Sequence, residues 1–199
     1  MTDVNLPLHP LLAARWSPAV FDPSHVATTE QVAVMLEAAR WAPSAGTSQP
    51  WAFLVGLRGD PVHQRLVAHL ARSSAAWAPA ASILVANLAH RFVEGTDWDY
   101  SEFALYDLGQ AVAHMTFQAQ ALGLSVRQFR AFDRAGVEAE FAVPAHWQVT
   151  TMAAFGVSPA GAAPGDDPAR PVPQRHRRAP EEISWPSRPQ SAPHAGETP

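Results

Sequence analysis

The residues best suited to chemistry lie in one stretch, Ala42-Pro43-Ser44-Ala45-Gly46-Thr47-Ser48-Gln49-Pro50-Trp51. Small side chains, hydroxyls, an amide and two prolines build a poor core element but a good polar cradle. Backbone N–H groups left free by a turn, outward hydroxyls and a path fixed by proline can together hold a planar polar ligand. Rigid flanking elements would keep such a loop in place. The same composition also suits a plain helix-to-strand connection, so the stretch alone does not name a ligand.

Missing residue types narrow the chemistry further. The chain has no cysteine, and all 14 of its Lys+Arg side chains are arginine. Thiolate nucleophiles, disulfides, iron–sulfur clusters and thiolate zinc sites are therefore excluded. So are Schiff-base catalysis and the lysine-bearing phosphate loop of nucleotide hydrolases. The 9 histidines contain no pair three or four residues apart, and no metal site is expected. Serine, histidine and aspartate all occur, but without the GxSxG elbow of many hydrolases. No GxGxxG is present either, which disfavours a Rossmann cofactor domain.

Composition bounds the rest. With 199 residues, 47% hydrophobic and 16% charged, one globular domain is expected. A net charge of −4 argues against a nucleic-acid partner. No run of roughly 18 apolar residues predicts a membrane span. The start, Met1-Thr2-Asp3-Val4-Asn5, lacks the pattern of a signal peptide, so a cytoplasmic location is the expectation.

The elements around the polar stretch follow from periodicity. Leu11 to Asp22 reads as a short helical turn and then irregular chain. Thr28 and Gln31 have capping-box spacing, and Val32, Met35, Leu36 and Ala39 repeat as one helix face. That helix delivers the chain into Pro43, and the continuously apolar Trp51 to Leu57 leaves it as a buried strand. Pro61 starts a short helix capped by Asp60, and Ile83 to Leu88 is a second buried strand. His90 to Tyr100 reads as an exposed aromatic loop. The longest helix runs from about Glu102 to Leu122, its apolar residues at helical spacing, and Gly123 ends it. Ser125 to Phe129 forms a third strand, a short helix capped by Asp133 follows, and Gln148 to Phe155 is the fourth strand.

After Gly156 the character changes. Val157 to Pro199 hold ten prolines, so no ordinary helix or internal strand can run through them. Residues 1–185 are read as one domain with a C-terminal extension from 157, and 186–199 as a disordered tail. The extension carries a basic knot, Arg175-His176-Arg177-Arg178, then Ile183 and Trp185. Taken alone, the knot also reads as a solvated basic patch. Strands mixed with helices predict an α+β sheet covered by helices, and the apolar tail predicts packing on a second subunit.

The order of several landmarks resembles the nitroreductase family of flavin mononucleotide enzymes. These are the arginine–serine segment at Arg15 and Ser17, the helix ending in APSAGTSQPW before an apolar strand, Asp107-Leu108-Gly109 leading into AQALGL, and Arg175-His176-Arg177. The resemblance spans about Arg15 to Glu182. It implies a nitroreductase-like fold: a central mixed or antiparallel sheet of four strands plus a swapped C-terminal segment, flanked by helices. It also implies a homodimer with FMN at the interface, and hydride transfer from NAD(P)H through the flavin to a nitroaromatic, quinone or similar acceptor.

Carried over by position, the resemblance places Arg15, Trp16 and Ser17 at the flavin phosphate and ribityl chain. Pro43, Ser44, Ala45, Thr47 and Gln49 would lie at the isoalloxazine, and Arg175 and Arg177 would hold the phosphate. Guanidinium forks suit the acceptor oxygens and near double charge of a phosphomonoester. No catalytic side chain is implied, because the flavin carries the electrons and the protein positions and tunes it. Two positions depart from the family: Ala19 stands where a second basic residue is usual, and Thr47 where asparagine is usual. A flavin or deazaflavin storage protein of the same fold is the alternative reading. An arginine such as Arg72 would have to replace the lysine often found near flavin N1. Phe129, Trp98 and Tyr100 are candidates to stack on an acceptor, with core packing or plain exposure the simpler account of each.

Overall fold

The computed structural model describes residues 7–162 and 177–185. Arg175 and the segment 186–199 lie outside the described residues. The chain runs α1 (Pro10–Ala14), α2 (Thr29–Arg40), β1 (Trp51–Leu57), α3 (Pro61–Ala68), α4 (Arg72–Ala75) and β2 (Ile83–His90). It continues with α5 (Ala104–Ala121), β3 (Ser125–Phe129), α6 (Arg134–Glu140), β4 (Trp147–Gly156) and α7 (Pro180–Ile183).

The four strands form one sheet in the order β1-β2-β4-β3, and every neighbouring pair is antiparallel. The mixed alternative is thereby resolved. β2 is buried along nearly its whole length. Successive side chains of a strand point to opposite faces, so a strand covered on both sides calls for apolar residues at nearly every position; the buried exception, Asn87, donates from Nδ2 to Thr151 Oγ1 at 3.0 Å. Ile83 and Val85 face a core with Met35 and Ala39 of α2, Ala111 and Met115 of α5, and Phe155 of β4. Leu84 and Ala86 face a second core with Leu66 of α3, Val137 of α6 and Met152 of β4. The result is a helix–sheet–helix sandwich of α+β class.

Local chemistry sets the ends of the elements. Both halves of the capping box at α2 are made: the Gln31 N–H donates to the Thr28 hydroxyl at 3.1 Å, and the Thr28 N–H to Gln31 Oε1 at 2.9 Å. The Asp60 and Asp133 side chains cap α3 and α6 by accepting from the His63 and Gly136 amides. Gly123, at φ +80°, turns the chain out of α5, and the Leu124 N–H closes the end on the Ala119 carbonyl at 2.9 Å. At Gly56 a Cβ would come within 2.4 Å of the His63 backbone nitrogen, so glycine there lets α3 lie directly on β1.

The sequence places α5 and the four strands to within two residues but does not place α4 or α7; α7 is a single turn with Pro180 at its start, inside the stretch where no ordinary helix is expected. For Phe129 the simpler of the two accounts, core packing, holds. It packs edge-on against Trp77, ring centroids 5.0 Å apart, in the core beneath α3 and α6. That face is opposite the one where α5 lies, so Phe129 is a core residue rather than an acceptor-stacking one. Tyr100 is also committed: it stacks on His90 at 3.8 Å, and His90 stacks in turn on Trp147 at 4.7 Å. Trp98 stays 73% exposed.

Candidate functional site

α5 is the spine of the site. One side packs through Leu108, Ala111, Val112, Met115 and Ala119 into the core, which leaves the opposite side facing outward. Two groups of residues singled out in the sequence gather along its length.

The first group lies at the middle and end of α5. Arg15 and Ser17, just beyond α1, line a cleft of about 310 Å³ with Ala113, Thr116 and Phe117 of α5 and Val126 and Gln128 of β3. Arg15 and Ser17 are themselves in contact, Nη1 to Oγ at 3.4 Å. An adjoining cleft of about 200 Å³ is lined by Arg15, Trp16 and Gln120 among others. The segment is fastened there because Gln120 Nε2 donates to the Leu11 carbonyl at 2.8 Å. Gln120 Oε1 is buried and meets no donor among the described residues. Thr116 donates to the Val112 carbonyl at 2.8 Å, and Gln128 Nε2 approaches its hydroxyl at 3.5 Å. This group offers a guanidinium, two hydroxyls and two amides.

The second group lies at the first turns of α5. Pro43, Ser44 and Ala45 line a cleft of about 230 Å³ with Phe103, Tyr106, Asp107 and Gln110. The end of α2 leads in rigidly: Arg40 and Trp41 both donate to Glu37, holding its carboxyl at about 2, well below the usual carboxylate range. Residues 45–47 make one 3-10 turn. Its amides are more engaged than the sequence predicts. The Thr47 N–H donates to the Ser44 carbonyl, the Gln49 N–H to Ser44 Oγ at 3.1 Å, and the Ala45 N–H to Asp107 Oδ2 at 3.0 Å. The amides of Ser44 and Gly46 meet no acceptor among the described residues. Three of the loop residues are left-handed: Gly46 at φ +58°, Thr47 at +59° and Gln49 at +47°.

Other expected residues fall elsewhere. Arg177 and Arg178 are exposed just before α7 and line none of these clefts. Arg72 opens α4 and also lines none of them. Ala19 is half-buried beyond Ser17. A serine–histidine contact does exist, with His25 Nδ1 2.7 Å from Ser82 Oγ. That serine is 1% exposed and its hydroxyl donates to the His25 carbonyl at 3.0 Å, so it ties two segments together and is no nucleophile. Among the described residues no cluster could hold a metal ion, and no helix is long and apolar enough to cross a membrane.

The comparisons agree with this architecture. Residues 12–76, which carry Arg15, Ser17 and the whole 43–51 loop, match the model of the nitroreductase family. An oxidoreductase containing FMN superimposes with a TM-score of 0.81 at 26% identity, over 92% of this chain and 93% of that one. The fold is that of the nitroreductase family. A nitroreductase-like protein of Desulfovibrio desulfuricans in complex with FMN gives a TM-score of 0.64 at 24% identity, over 90% and 99% of the two chains. A candidate NADH dehydrogenase/NAD(P)H nitroreductase of Bacteroides thetaiotaomicron gives 0.66 at 17%, over 88% and 94%. No curated protein matches the chain in sequence.

Sequence reasoning missed Thr116, Gln128, Tyr106 and the role of Asp107. Asp107 appears in the sequence only as part of a resemblance. Its partner Ala45 lies 62 residues away, which no local pattern encodes.

Proposed function

We propose that this nitroreductase-fold protein is an FMN-dependent oxidoreductase that works as a homodimer. Bound FMN would supply the redox chemistry, passing a hydride from NADH or NADPH to a nitroaromatic, quinone or similar small acceptor. The carrying observation is the pair of clefts along α5, each lined by residues that the family resemblance assigns to the same cofactor.

The residues fit the group. Arg15 and Ser17 supply the charge-assisted and hydroxyl contacts that a phosphate requires. Thr116 and Gln128 add donors and acceptors beside them for ribityl hydroxyls. The orphaned Gln120 Oε1 in the adjoining cleft is an acceptor in want of a donor. The amides of Ser44 and Gly46 are backbone donors of the 43–49 loop that meet no acceptor among the described residues.

The way one chain divides these groups supports a homodimer. The phosphate-type residues sit in one cleft and the ring-type loop in another, roughly 20 Å along α5 from Asp107 to Gln120. A second copy would bring the loop of one chain to the Arg15 cleft of the other. The first turns of α5 carry the surface for this, with Phe103, Leu105 and Tyr106 46%, 46% and 69% exposed. Arg175 and Arg177 would complete the phosphate contacts from the C-terminal extension.

Titration of purified protein with FMN, followed by quenching of flavin fluorescence, tests the reading. Saturable uptake of one FMN per chain is expected. Arg15→Ala should weaken it by roughly tenfold or more, as for a lost hydrogen bond to a charged group. A protein that takes up no FMN contradicts both the enzyme and the flavin-storage readings.

A further inference from the structure

Asp107 is 2% exposed, yet it belongs to the first turn of a helix whose neighbouring residues Phe103, Leu105 and Tyr106 are open to solvent. A carboxyl group in such a place needs partners, because burial without them is costly. It finds them in the site loop. Its Oδ2 accepts the Ala45 N–H at 3.0 Å, and Oδ1 lies 3.4 Å from Gln110 Nε2. The same Gln110 nitrogen lies 3.4 Å from the Pro43 carbonyl. Asp107 and Gln110 therefore grip the loop on both sides of Ser44.

The loop needs holding. Thr47 and Gln49 sit in the left-handed region, where a side chain crowds its own backbone. Such conformations persist only where the surroundings over-determine them. Bonds inside the loop account for Thr47, Ser48 and Gln49. The bond from Ala45 to Asp107 ties the turn to a long helix packed into the core.

We propose that Asp107 is a positioning residue for the flavin: its buried side chain fixes the 43–49 loop in the strained shape that turns the Ser44 and Gly46 amides toward the ligand. This rests on the FMN reading above. Both carboxyl oxygens already have protein partners, so the side chain acts through the Ala45 amide.

Two measurements test it together: amide hydrogen exchange of the loop in the ligand-free protein, and FMN affinity. Asp107→Leu removes the acceptor and should leave the 42–50 segment exchanging faster. It should also weaken FMN binding roughly ten- to hundredfold, the value of a hydrogen bond to a charged group. Asp107→Asn keeps an acceptor oxygen and should restore both. Ala45→Pro removes the donor instead, at a first-turn position where proline is tolerated after the extended Ser44 (φ −146°, ψ 152°). It should reproduce the FMN loss even if Asp107→Leu does not fold, and the double variant should bind no more weakly than either single one. Unchanged loop exchange in Asp107→Leu overturns the proposal. Faster exchange with wild-type FMN affinity overturns it too, because the contact would then serve structure alone. Wild-type protein that takes up no FMN overturns the cofactor reading itself, a result separable from failure at Asp107 because it appears before any substitution is made.

Discussion

Thr47 is where the physical chemistry of the loop is most exposed to test. Its β-branched side chain is poorly suited to φ +59°, whereas asparagine tolerates the left-handed region well. The family's usual asparagine at this position thus has a backbone reason as well as a hydrogen-bonding one. Thr47→Asn should raise the melting temperature by a few degrees, on the order of 1 kcal/mol for a domain of this size. A fall in thermal denaturation experiments would show that the threonine is not strained. A second residue, His63, contributes to the pH response. Burial pushes its imidazole below the usual 6.5 against the opposing pull of Asp60, and its buried Nε2 meets no partner among the described residues. The unfolded chain then binds the proton more readily than the folded one, so stability falls as pH drops through about 6.5 toward the lower folded value. Melting curves at about pH 7.5 and 5 should show a smaller acid loss for His63→Gln than for the wild type. Equal losses would remove His63 as the cause.

At the scale of elements, the sequence is legible where one period dominates. The capping pair at Thr28 and Gln31, the glycine after α5, the apolar run of β1 and the largely apolar β2 each report a local demand. Strand order is another matter. Placing β4 between β2 and β3 depends on which faces and edges meet in three dimensions, and no segment carries that information alone. Gly56 shows how tightly elements determine one another. Gly56→Ala would drive a methyl group into the His63 backbone, a contact neither β1 nor α3 can yield without moving. A loss of about 1–3 kcal/mol is expected in chemical denaturation, and an unchanged midpoint would contradict the close α3–β1 approach.

For the whole molecule, the proposed site is shared between two chains. The proposed site residues legible in the sequence were those in compact motifs: Arg15, Trp16 and Ser17 line clefts, as do Pro43, Ser44 and Ala45, whereas Thr47 and Gln49 line none of them. The contributions of Thr116, Gln128 and Tyr106 come from how α5 is turned against the sheet, which only folding sets. Leu105→Glu places a charge on the exposed start of α5. It should leave a single folded chain intact but disrupt a dimer built on this face, halving the mass in light scattering and reducing FMN retention. A dimeric variant with full retention would place the interface elsewhere. The central claim is electron transfer through a bound flavin, and the most direct test is the visible spectrum of the FMN-loaded protein, recorded without oxygen as NADH or NADPH is added. The account predicts that at least one nicotinamide bleaches the flavin band and that an added quinone or nitroaromatic restores it. A flavin band that neither nicotinamide bleaches would contradict the oxidoreductase and leave a flavin-binding protein in its place.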